Sequence, residues 1–267
     1  MKLVSAARLR RAQEALLNAR PYHETLKRVA DSLLGSDPEA MAPAENAQRV
    51  ALILVVTSDR ALCGGYNANL LRLAEETARH KVAEGLTVKF FAIGRKSLDH
   101  FRRSHAAMDG DRVNNTPRLA TVGLARDLAT KVIMDFRAGT IAEAGVVYST
   151  FRSAISQRPT YEKLLPVEPP QPSADGSAAP PTDYLIEPSA ADLMPVVLRS
   201  YVEASIFHAL LEGEASEHGA RMTAMDSATN NAVDMISRLT LEMNRARQAQ
   251  ITRELMDIVG GAEALRS

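Results

Sequence analysis

The segment 57–67, with the sequence TSDRALCGGYN, contains the residue types most suggestive of a chemical site. It follows an apolar run and holds Cys63, the single cysteine of the chain, beside Gly64 and Gly65. A glycine-bearing turn between a strand and a helix can bind phosphate, because the backbone N–H groups at a helix N-terminus are unpaired. A cysteine can act as a nucleophile when a neighbouring base activates it. Phosphate binding and nucleophilic catalysis are therefore the two chemistries to consider.

The residues of the segment argue against both. RALCGGYN matches neither G-x-x-x-x-G-K-[ST] nor G-x-G-x-x-G, and it offers no lysine to a phosphate group. The six histidines form no motif with Cys63, and no Cys and His spacing is of the zinc-binding type. The segment is better interpreted as a turn in which Gly64 and Gly65 adopt backbone conformations closed to other residues. Asp59 and Arg60 are then exposed charges available to a partner, and Cys63 is a small packed residue or a bystander at that contact.

Composition and charge exclude several classes of protein. The chain has 267 residues, of which 46% are apolar, so it can bury a sizeable core. Its 32 basic and 32 acidic residues balance, which argues against nucleic acid or an anionic membrane as the main partner. One cysteine and no recognisable signal peptide point to a reducing, cytoplasmic compartment. The longest apolar run, from Val50 to Val56, is too short to span a bilayer.

The elements that position the turn alternate between strands and helices. The segments RVALILVVTS, LTVKFFAIG and AGVVYSTF are predicted as buried strands. Helices are predicted over 67–84, near 95–104 and over 121–138, with a short strand near 106–113. This alternation favours a parallel sheet with crossover helices. TYEKLLPV is predicted as an edge strand, DYLIEPS as a last short strand, and the Pro-rich segment 166–182 as a surface loop.

Both ends of the chain show heptad spacing instead. Apolar or small residues alternate at three and four positions along the first 34 residues, where Pro21 predicts a bend. A second helix is predicted over 190–264, about 100 Å long at 1.5 Å per residue, with a heptad seam from Met222 to Arg253. The predicted fold class is α/β, with a long antiparallel two-helix coiled coil formed by the N- and C-terminal helices plus a central Rossmann-like α/β domain. The predicted domains are residues 1–45, 46–189 and 190–267.

Four sequence segments resemble the gamma subunit of the F-type ATP synthases. MKLVSAARLRRAQ is similar to the first helix of that family, TSDRALCGGYN to its first strand-to-helix loop, and SEHGARMTAMDSATNNA to the start of its long C-terminal helix. ARQAQITRELMDIVGGAEAL resembles the family signature at Ile251, Thr252, Glu254, Asp257, Gly261 and Ala262. The four segments occur in the family's order and together span nearly the whole chain.

The resemblance implies a mechanical function. In the family this subunit is a rotating central shaft whose coiled coil enters a ring of three alpha and three beta subunits. Its α/β domain lies outside, near the epsilon subunit and the membrane ring of c subunits. The resemblance therefore implies these partners, no nucleic acid, no cofactor, no metal and no catalytic site in the chain itself. It also implies a peripheral protein at the cytoplasmic face of the bacterial inner membrane, attached to the membrane only through the complex.

The resemblance also implies which residues contact partner subunits. The positions that match ring contacts are Met1 on the first helix and Arg247, Gln248, Thr252 and Glu254 on the last. The positions that match the collar at the base of the shaft are Asp59, Arg60 and Cys63.

The start of the chain departs from the family, whose members usually begin some two dozen residues earlier. This implies a start codon assigned late or a truncated chain. If the protein does start at Met1, the upper part of the C-terminal helix is expected to lack its antiparallel partner.

Two other classes of protein remain as alternatives to the shaft. One is a nucleotide-using α/β enzyme, to which the strand, turn and helix order would be suited. The other is a coiled-coil adaptor unrelated to ATP synthesis, which composition alone does not exclude. The four family segments favour the shaft over both.

Overall fold

A computed structural model describes residues 1–36, 47–112, 120–167, 187 and 189–264. Five helices and five strands are described in these ranges, and they follow one another along the chain in this order: α1 (Lys2–Ser36), β1 (Val50–Val56), α2 (Tyr66–Ala83), β2 (Thr87–Ile93), α3 (Arg95–Arg103), β3 (Met108–Arg112), α4 (Val122–Arg137), β4 (Glu143–Phe151), β5 (Gln157–Leu165) and α5 (Ala190–Ala264). The predicted alternation of strands and helices is confirmed.

The strands form one sheet in the order β3-β2-β1-β4-β5. Strand β1 pairs in parallel with both β2 and β4, and β2 pairs in parallel with β3. The edge strand β5 runs antiparallel to β4. All seven residues of β1 are buried, as is typical of a central parallel strand covered on both faces. The α/β fold class and the edge position of TYEKLLPV are thus confirmed.

Alternate residues of β1 pack into two different clusters, one on each face of the sheet. Leu52 and Leu54 belong to a cluster that includes residues of α4 and α5. Ile53 and Val55 belong to a second cluster that includes residues of α2 and α3. This division follows from the pleat of a strand, which points successive side chains to opposite faces. The helices therefore cover the sheet from both sides.

Helix α1 packs antiparallel on the N-terminal part of α5. The His23 ring stacks on the His208 ring, and earlier in α1 Arg20 Nη2 lies 3.7 Å from Glu212 Oε1, which is later in α5. Closer still to the start of α1, Leu9, Ala12 and Leu16 are buried in one cluster with Leu211 and Ala215 of α5. Residues later in α1 contact residues earlier in α5, so the two helices run in opposite directions. The predicted antiparallel pairing is confirmed.

The chain divides into two compact units, Met1–Thr223 and Ala224–Ser267. The described part of the second unit is helical as far as Ala264, and every residue from Ser227 to Ala262 is exposed. Within the first unit, α1 contacts His208, Leu211, Glu212 and Ala215 of α5, which precede the predicted seam from Met222 to Arg253. A helix of 35 residues can face only about 35 residues of a partner at 1.5 Å per residue, so α1 cannot cover all of α5.

Some predicted features lie largely outside the described residues. These are the loop at 35–45, most of the Pro-rich segment 166–182, and most of DYLIEPS. Helix α1 is assigned without interruption through Pro21, and the predicted bend there stays a prediction. The three predicted domain boundaries also stay predictions.

Candidate functional site

The turn that follows β1 lies at the place where parallel α/β sheets generally bind ligands. From β1 the chain continues to β2 and β3 on one side, and it later returns to place β4 on the other side of β1. The carboxyl ends of β1 and β4 therefore flank the point at which the strand order reverses. In open α/β sheets a crevice at this point is the usual ligand site.

In this chain α5 packs across the end of β4, on one side of that crevice. The backbone N–H of Phe151, at the end of β4, donates to Glu212 Oε2 at 2.6 Å. One turn further along α5, Ser216 Oγ donates to the carbonyl oxygen of Ser149 at 2.8 Å. The Glu212 side chain is almost fully buried, and burial raises its pKa, whereas the Phe151 N–H and Arg20 lower it. These groups anchor α5 to the strand end.

The same helix also approaches the end of β1. The phenol O–H of Tyr66 donates to the carbonyl oxygen of Gly213 at 3.0 Å, and the burial of this phenol raises its pKa well above 10.0. A Cβ atom on Gly213 would lie 3.0 Å from Val56 Cγ1, which is closer than ordinary packing allows. A larger residue at position 213 would therefore require the Val56 side chain to shift, and glycine lets α5 pass close to the strand without that shift. Helix α5 of this chain therefore occupies the place where other α/β sheets bind a ligand.

Inside the turn, Cys63 is a packed residue and not a surface group. It is only 2% exposed, and its Sγ accepts a hydrogen bond from Asn67 Nδ2 at 3.1 Å. Ser58 completes the cluster, since its backbone N–H donates to Asn67 Oδ1 and its Oγ donates to the carbonyl oxygen of Arg60. Cys63 was predicted among the partner contacts, but its burial removes its side chain from the exposed surface of the turn.

Asp59 likewise has a role within the chain. Its Oδ1 accepts a hydrogen bond of 2.8 Å from the backbone N–H of Arg95, the first residue of α3. This satisfies one of the N–H groups that a helix start leaves unpaired. Asp59 is half-buried, whereas the prediction had made it an exposed charge. Arg60 is exposed, as predicted.

Arg221 of α5 forms hydrogen bonds with the backbone of the turn. Nη2 of this buried arginine donates to the carbonyl oxygens of Arg60 at 3.2 Å and Ala61 at 3.5 Å. Its Nη1 lies 2.7 Å from Glu217 Oε1. Burial raises the pKa of Glu217, and the charge of Arg221 opposes that rise. Burial, then Arg221 and Arg8, lower the pKa of His218 to about 4, so this ring is neutral near pH 7.

The exposed residues of the turn are Arg60, Ala61, Leu62, Gly64 and Gly65. Leu62 has a φ of 69°, a left-handed conformation that leucine rarely adopts, and it is 56% exposed. Gly64 has a φ of 57°, which confirms that its position favours glycine. Gly65 has a φ of −79°, which any residue can adopt, so the prediction of a special conformation there is wrong. The turn therefore presents one cation and one apolar side chain on a fixed backbone.

The predicted contact residues of the C-terminal helix are all exposed: Arg247, Gln248, Thr252 and Glu254. Thr252 Oγ1 donates to the carbonyl oxygen of Gln248 within the helix, and Glu254 Oε1 accepts from Gln250 Nε2 at 3.0 Å. Met1, which belongs to the other unit, is 70% exposed.

The described ranges contain no group of three or more His, Cys, Asp or Glu side chains placed to hold a metal ion. No helix among the described residues is long and apolar enough to cross a membrane.

Sequence reasoning missed the residues that support the turn. Glu217 and Arg221 are spaced four apart, which indicates an ion pair on a helix surface. Nothing in the sequence shows that this pair is buried beneath a turn that lies 160 residues earlier in the chain. Gly213 and Tyr66 carry even less signal, because their contact joins residues 147 positions apart.

A family model described as ATP synthase matches residues 1–265 of the chain. The chain is 45% identical over 268 residues to the ATP synthase gamma chain of Pelotomaculum thermopropionicum, covering 99% of this chain and 92% of the relative. It is 43% identical over 271 residues to the ATP synthase gamma chain of Moorella thermoacetica, covering 100% of this chain and 92% of that one.

Solved structures share the fold at lower identity. A chain from the central stalk and c-ring structure of the Tetrahymena thermophila mitochondrial ATP synthase matches with a TM-score of 0.62 and 21% identity, over 86% of this chain and 97% of its own length. A chain from the Euglena gracilis mitochondrial ATP synthase matches with a TM-score of 0.60 and 18% identity, over 97% and 95%.

Proposed function

The chain belongs to the ATP synthase gamma chain family, and from this premise we propose that it is the central rotating shaft of an F-type, proton-translocating ATP synthase. The observation that carries the proposal is the identity of 45% with a gamma chain over 99% of this chain. The family model, which spans residues 1–265, supports the same conclusion. Each of the four sequence segments that indicated the family lies within that span.

A shaft couples rotation to catalysis through contact energy. Proton flow turns the c-subunit ring and the shaft together, and the shaft then meets the three catalytic beta subunits with different sides. A rotating shaft can change the nucleotide affinity of a beta site only by the difference in contact free energy between the states of that site. The shaft therefore needs exposed side chains that differ around its circumference. The helix in the second unit has this property, since its exposed side chains include both apolar and charged groups.

The chain is proposed to be a non-catalytic subunit. This proposal is supported by the contacts of α5 at the carboxyl ends of the strands, where an α/β enzyme would bind its substrate. Glu212 and Gly213 of α5 contact the ends of β4 and β1 there, and Arg221 binds the turn after β1. A nucleotide at this place would have to displace these contacts. The turn also lacks the lysine of a phosphate-binding loop.

The proposed partners are the alpha and beta hexamer, the epsilon subunit and the c ring, at the cytoplasmic face of the bacterial inner membrane. On the C-terminal helix the proposed ring contacts are Arg247, Gln248, Thr252 and Glu254, and the proposed contact before α1 is Met1. All five side chains are exposed, which this role requires.

On the turn after β1, the proposed collar contacts are Asp59, Arg60 and Cys63, of which Arg60 is exposed, Asp59 half-buried and Cys63 buried. The exposed Leu62 is added to this set. Asp59 and Cys63 support the turn from within. A cation on a backbone that Arg221 fixes is suited to an acidic loop of the surrounding ring.

Reconstitution tests the proposal directly. The chain is mixed with alpha and beta subunits of a relative's enzyme, and assembly and ATP hydrolysis are measured with and without it. We expect the chain to join the alpha and beta ring and the assembled complex to hydrolyse ATP, while the chain alone shows no hydrolysis. Hydrolysis by the isolated chain would contradict its non-catalytic role. Failure to assemble, even with a relative's N-terminal segment added, would contradict the shaft role.

A further inference from the structure

Two histidines meet face to face where α1 crosses α5. The rings of His23 on α1 and His208 on α5 have their centroids 4.5 Å apart, with an angle of 10° between their planes. The His208 side chain is 13% exposed, and the His23 ring is partly buried. Two stacked imidazoles attract each other as flat, weakly polar rings only while they are neutral. Two imidazolium ions at this separation would repel each other.

The ring nitrogens show where a further proton would go. Within the part of the chain that the structure describes, neither His23 Nδ1 nor His208 Nδ1 has a hydrogen-bond partner. A buried N–H without an acceptor is unfavourable, so both rings are most stable with an unprotonated Nδ1 and the proton on Nε2. His208 Nε2 then faces Glu212 Oε1 at 3.5 Å. A second proton on either ring would create a buried N–H without an acceptor among the described residues.

Charged and titratable groups approach the pair from every element packed on it. Glu162 of β5 faces His23, and it accepts a hydrogen bond from the Tyr148 phenol of β4 at 2.9 Å. Glu162 also raises the pKa of Tyr201 on α5, although burial contributes more to that rise. On the helices themselves, the groups that act on the two rings are Arg20, Glu24, Lys27 and Glu212.

These surroundings favour the neutral rings. Burial, together with smaller contributions from the neighbouring His23 and Arg20, lowers the pKa of His208 to about 4. Burial also lowers the pKa of His23, aided by Lys27 and opposed by Glu162 and Glu24. Both imidazoles are therefore uncharged in the folded chain near neutral pH.

We propose that the His23–His208 stack is an acid-release latch, which holds α1 against α5 while both rings are neutral and loosens this contact when the rings take up protons. The inference goes beyond the shaft role and does not depend on it, because it concerns two helices of one chain. Its consequence is a helix pair that opens locally in acid, before the chain unfolds as a whole.

The direction of the effect follows from linkage. When α1 separates from α5, the His208 ring returns to water and its pKa returns towards 6.5. The open form then binds more protons than the closed form between pH 6.5 and about 4, so the latch is fully closed above this range and weakens as the pH falls through it. Glu212 acts in the opposite direction. Its pKa is raised in the closed form, so protonation of Glu212 at low pH stabilises the closed form.

Hydrogen exchange of the full chain, followed by mass spectrometry, tests the latch. Exchange of α1 amides near His23 is compared at pH 7.5 and 5.0, after correction for the intrinsic rate at each pH. A shift of the His208 pKa from 6.5 to about 4 predicts about 30-fold more frequent opening at pH 5.0. We expect this increase in α1 and in the facing part of α5, and a much smaller one in β1.

Variants separate titration from packing. His208→Phe keeps a flat ring at the contact but cannot bind a proton, so the increase at pH 5.0 should be clearly smaller than in the wild-type chain, with His23 as the remaining titrating ring. His208→Gln is the second non-titrating variant if the phenylalanine disturbs folding. His105→Asn is the matched control, because His105 is exposed and has a φ of 52° that asparagine tolerates, and it should keep the full increase. Wild-type acid sensitivity in both His208 variants would overturn the proposal, as would equal exchange at the two pH values in the wild-type chain.

Discussion

The two parts of helix α5 have the same secondary structure but opposite surroundings. In the first unit, residues such as Val202, Ile206 and Leu210 are at most 1% exposed and pack on the sheet. In the second unit, Ile236, Leu239 and similar residues are more than half exposed. The first part is stabilised by contacts within the chain. The second part leaves apolar side chains exposed, as the proposed role in binding the ring requires.

This difference shows that an apolar stripe on a helix can either pack within its own chain or remain exposed. A heptad pattern predicts a helix with an apolar stripe, but it does not tell whether the partner of that stripe is in the same chain. In α5 the stripe of the first unit contacts α1 and the sheet, whereas the apolar side chains of the second unit from Val233 to Val259 are exposed. Substitutions in the first unit should therefore affect folding, and those in the second should affect assembly.

The largest expected effect on folding is that of Arg221→Ala. The substitution removes the partner of the Glu217 carboxylate, whose side chain is only 15% exposed, and the donors to the Arg60 and Ala61 carbonyls. Breaking a buried ion pair in this way costs about 3–5 kcal/mol, which urea unfolding of the full chain would measure. Arg245→Ala, in the second unit, is the matched control and should change the unfolding free energy by less than about 0.5 kcal/mol. Equal losses in the two variants would contradict the contrast between the units.

A pair of leucines tests the same contrast without charge. Leu210→Ala creates a cavity at a position that is 0% exposed, and should lower the unfolding free energy by about 2–5 kcal/mol. Leu239→Ala, at a position that is 54% exposed, should lower it by less than about 1 kcal/mol. Urea titrations of the two variants under the same conditions provide the comparison. In the reconstituted complex we expect the order of the effects on assembly to be reversed.

The pH dependence of folding should come mainly from the first unit. Burial lowers the pKa of His218 to about 4, so the unfolded chain binds more protons than the folded chain between pH 6.5 and 4. Stability should therefore fall as the pH decreases through this window, with His218 contributing about 3 kcal/mol at about 1.4 kcal/mol per pKa unit. His218→Gln should flatten this part of the curve, measured by urea unfolding at pH 7.5 and 4.5. An unchanged slope in the variant would show that His218 does not contribute.

The smallest expected effect on folding is that of Arg247→Ala or Gln248→Ala. Both side chains are exposed in the second unit, so the unfolding free energy should change by less than about 0.5 kcal/mol. In the reconstituted complex we expect ATP synthesis per proton to fall, because the contacts that change between states of the ring are lost. Arg238→Ala is a control at another exposed arginine outside the proposed contacts. Unfolding of the Arg247 variant would instead show a structural role.

The fold was predictable where its signals were local. The continuous apolar run of β1 and the alternation with amphipathic segments were enough to predict a parallel sheet, and the heptads predicted the terminal helices. The register of α1 on α5 was not predictable, because small and apolar residues recur along the whole of α5. The contacts at His208, Leu211, Glu212 and Ala215 identify the facing segment.

The candidate site was predictable only in part. The glycines after Cys63 indicated a turn, and the missing lysine excluded a phosphate loop. The sequence could not show that Cys63 points inward, that Asp59 binds the start of α3, or that Leu62 is the exposed apolar residue. These outcomes depend on Asn67, Arg95 and Arg221, which approach the turn from other elements.

The packing of α5 across the strand ends also constrains the order in which the protein matures on the ribosome. The carbonyl of Ala61 receives its hydrogen bond from a residue made 160 positions later, and Phe151 receives its partner 61 positions later. While the chain is being synthesised, the carboxyl edge of the sheet remains open until Glu212 and Arg221 have left the exit tunnel. A nascent chain that stalls before these residues would expose that edge to chaperones and proteases.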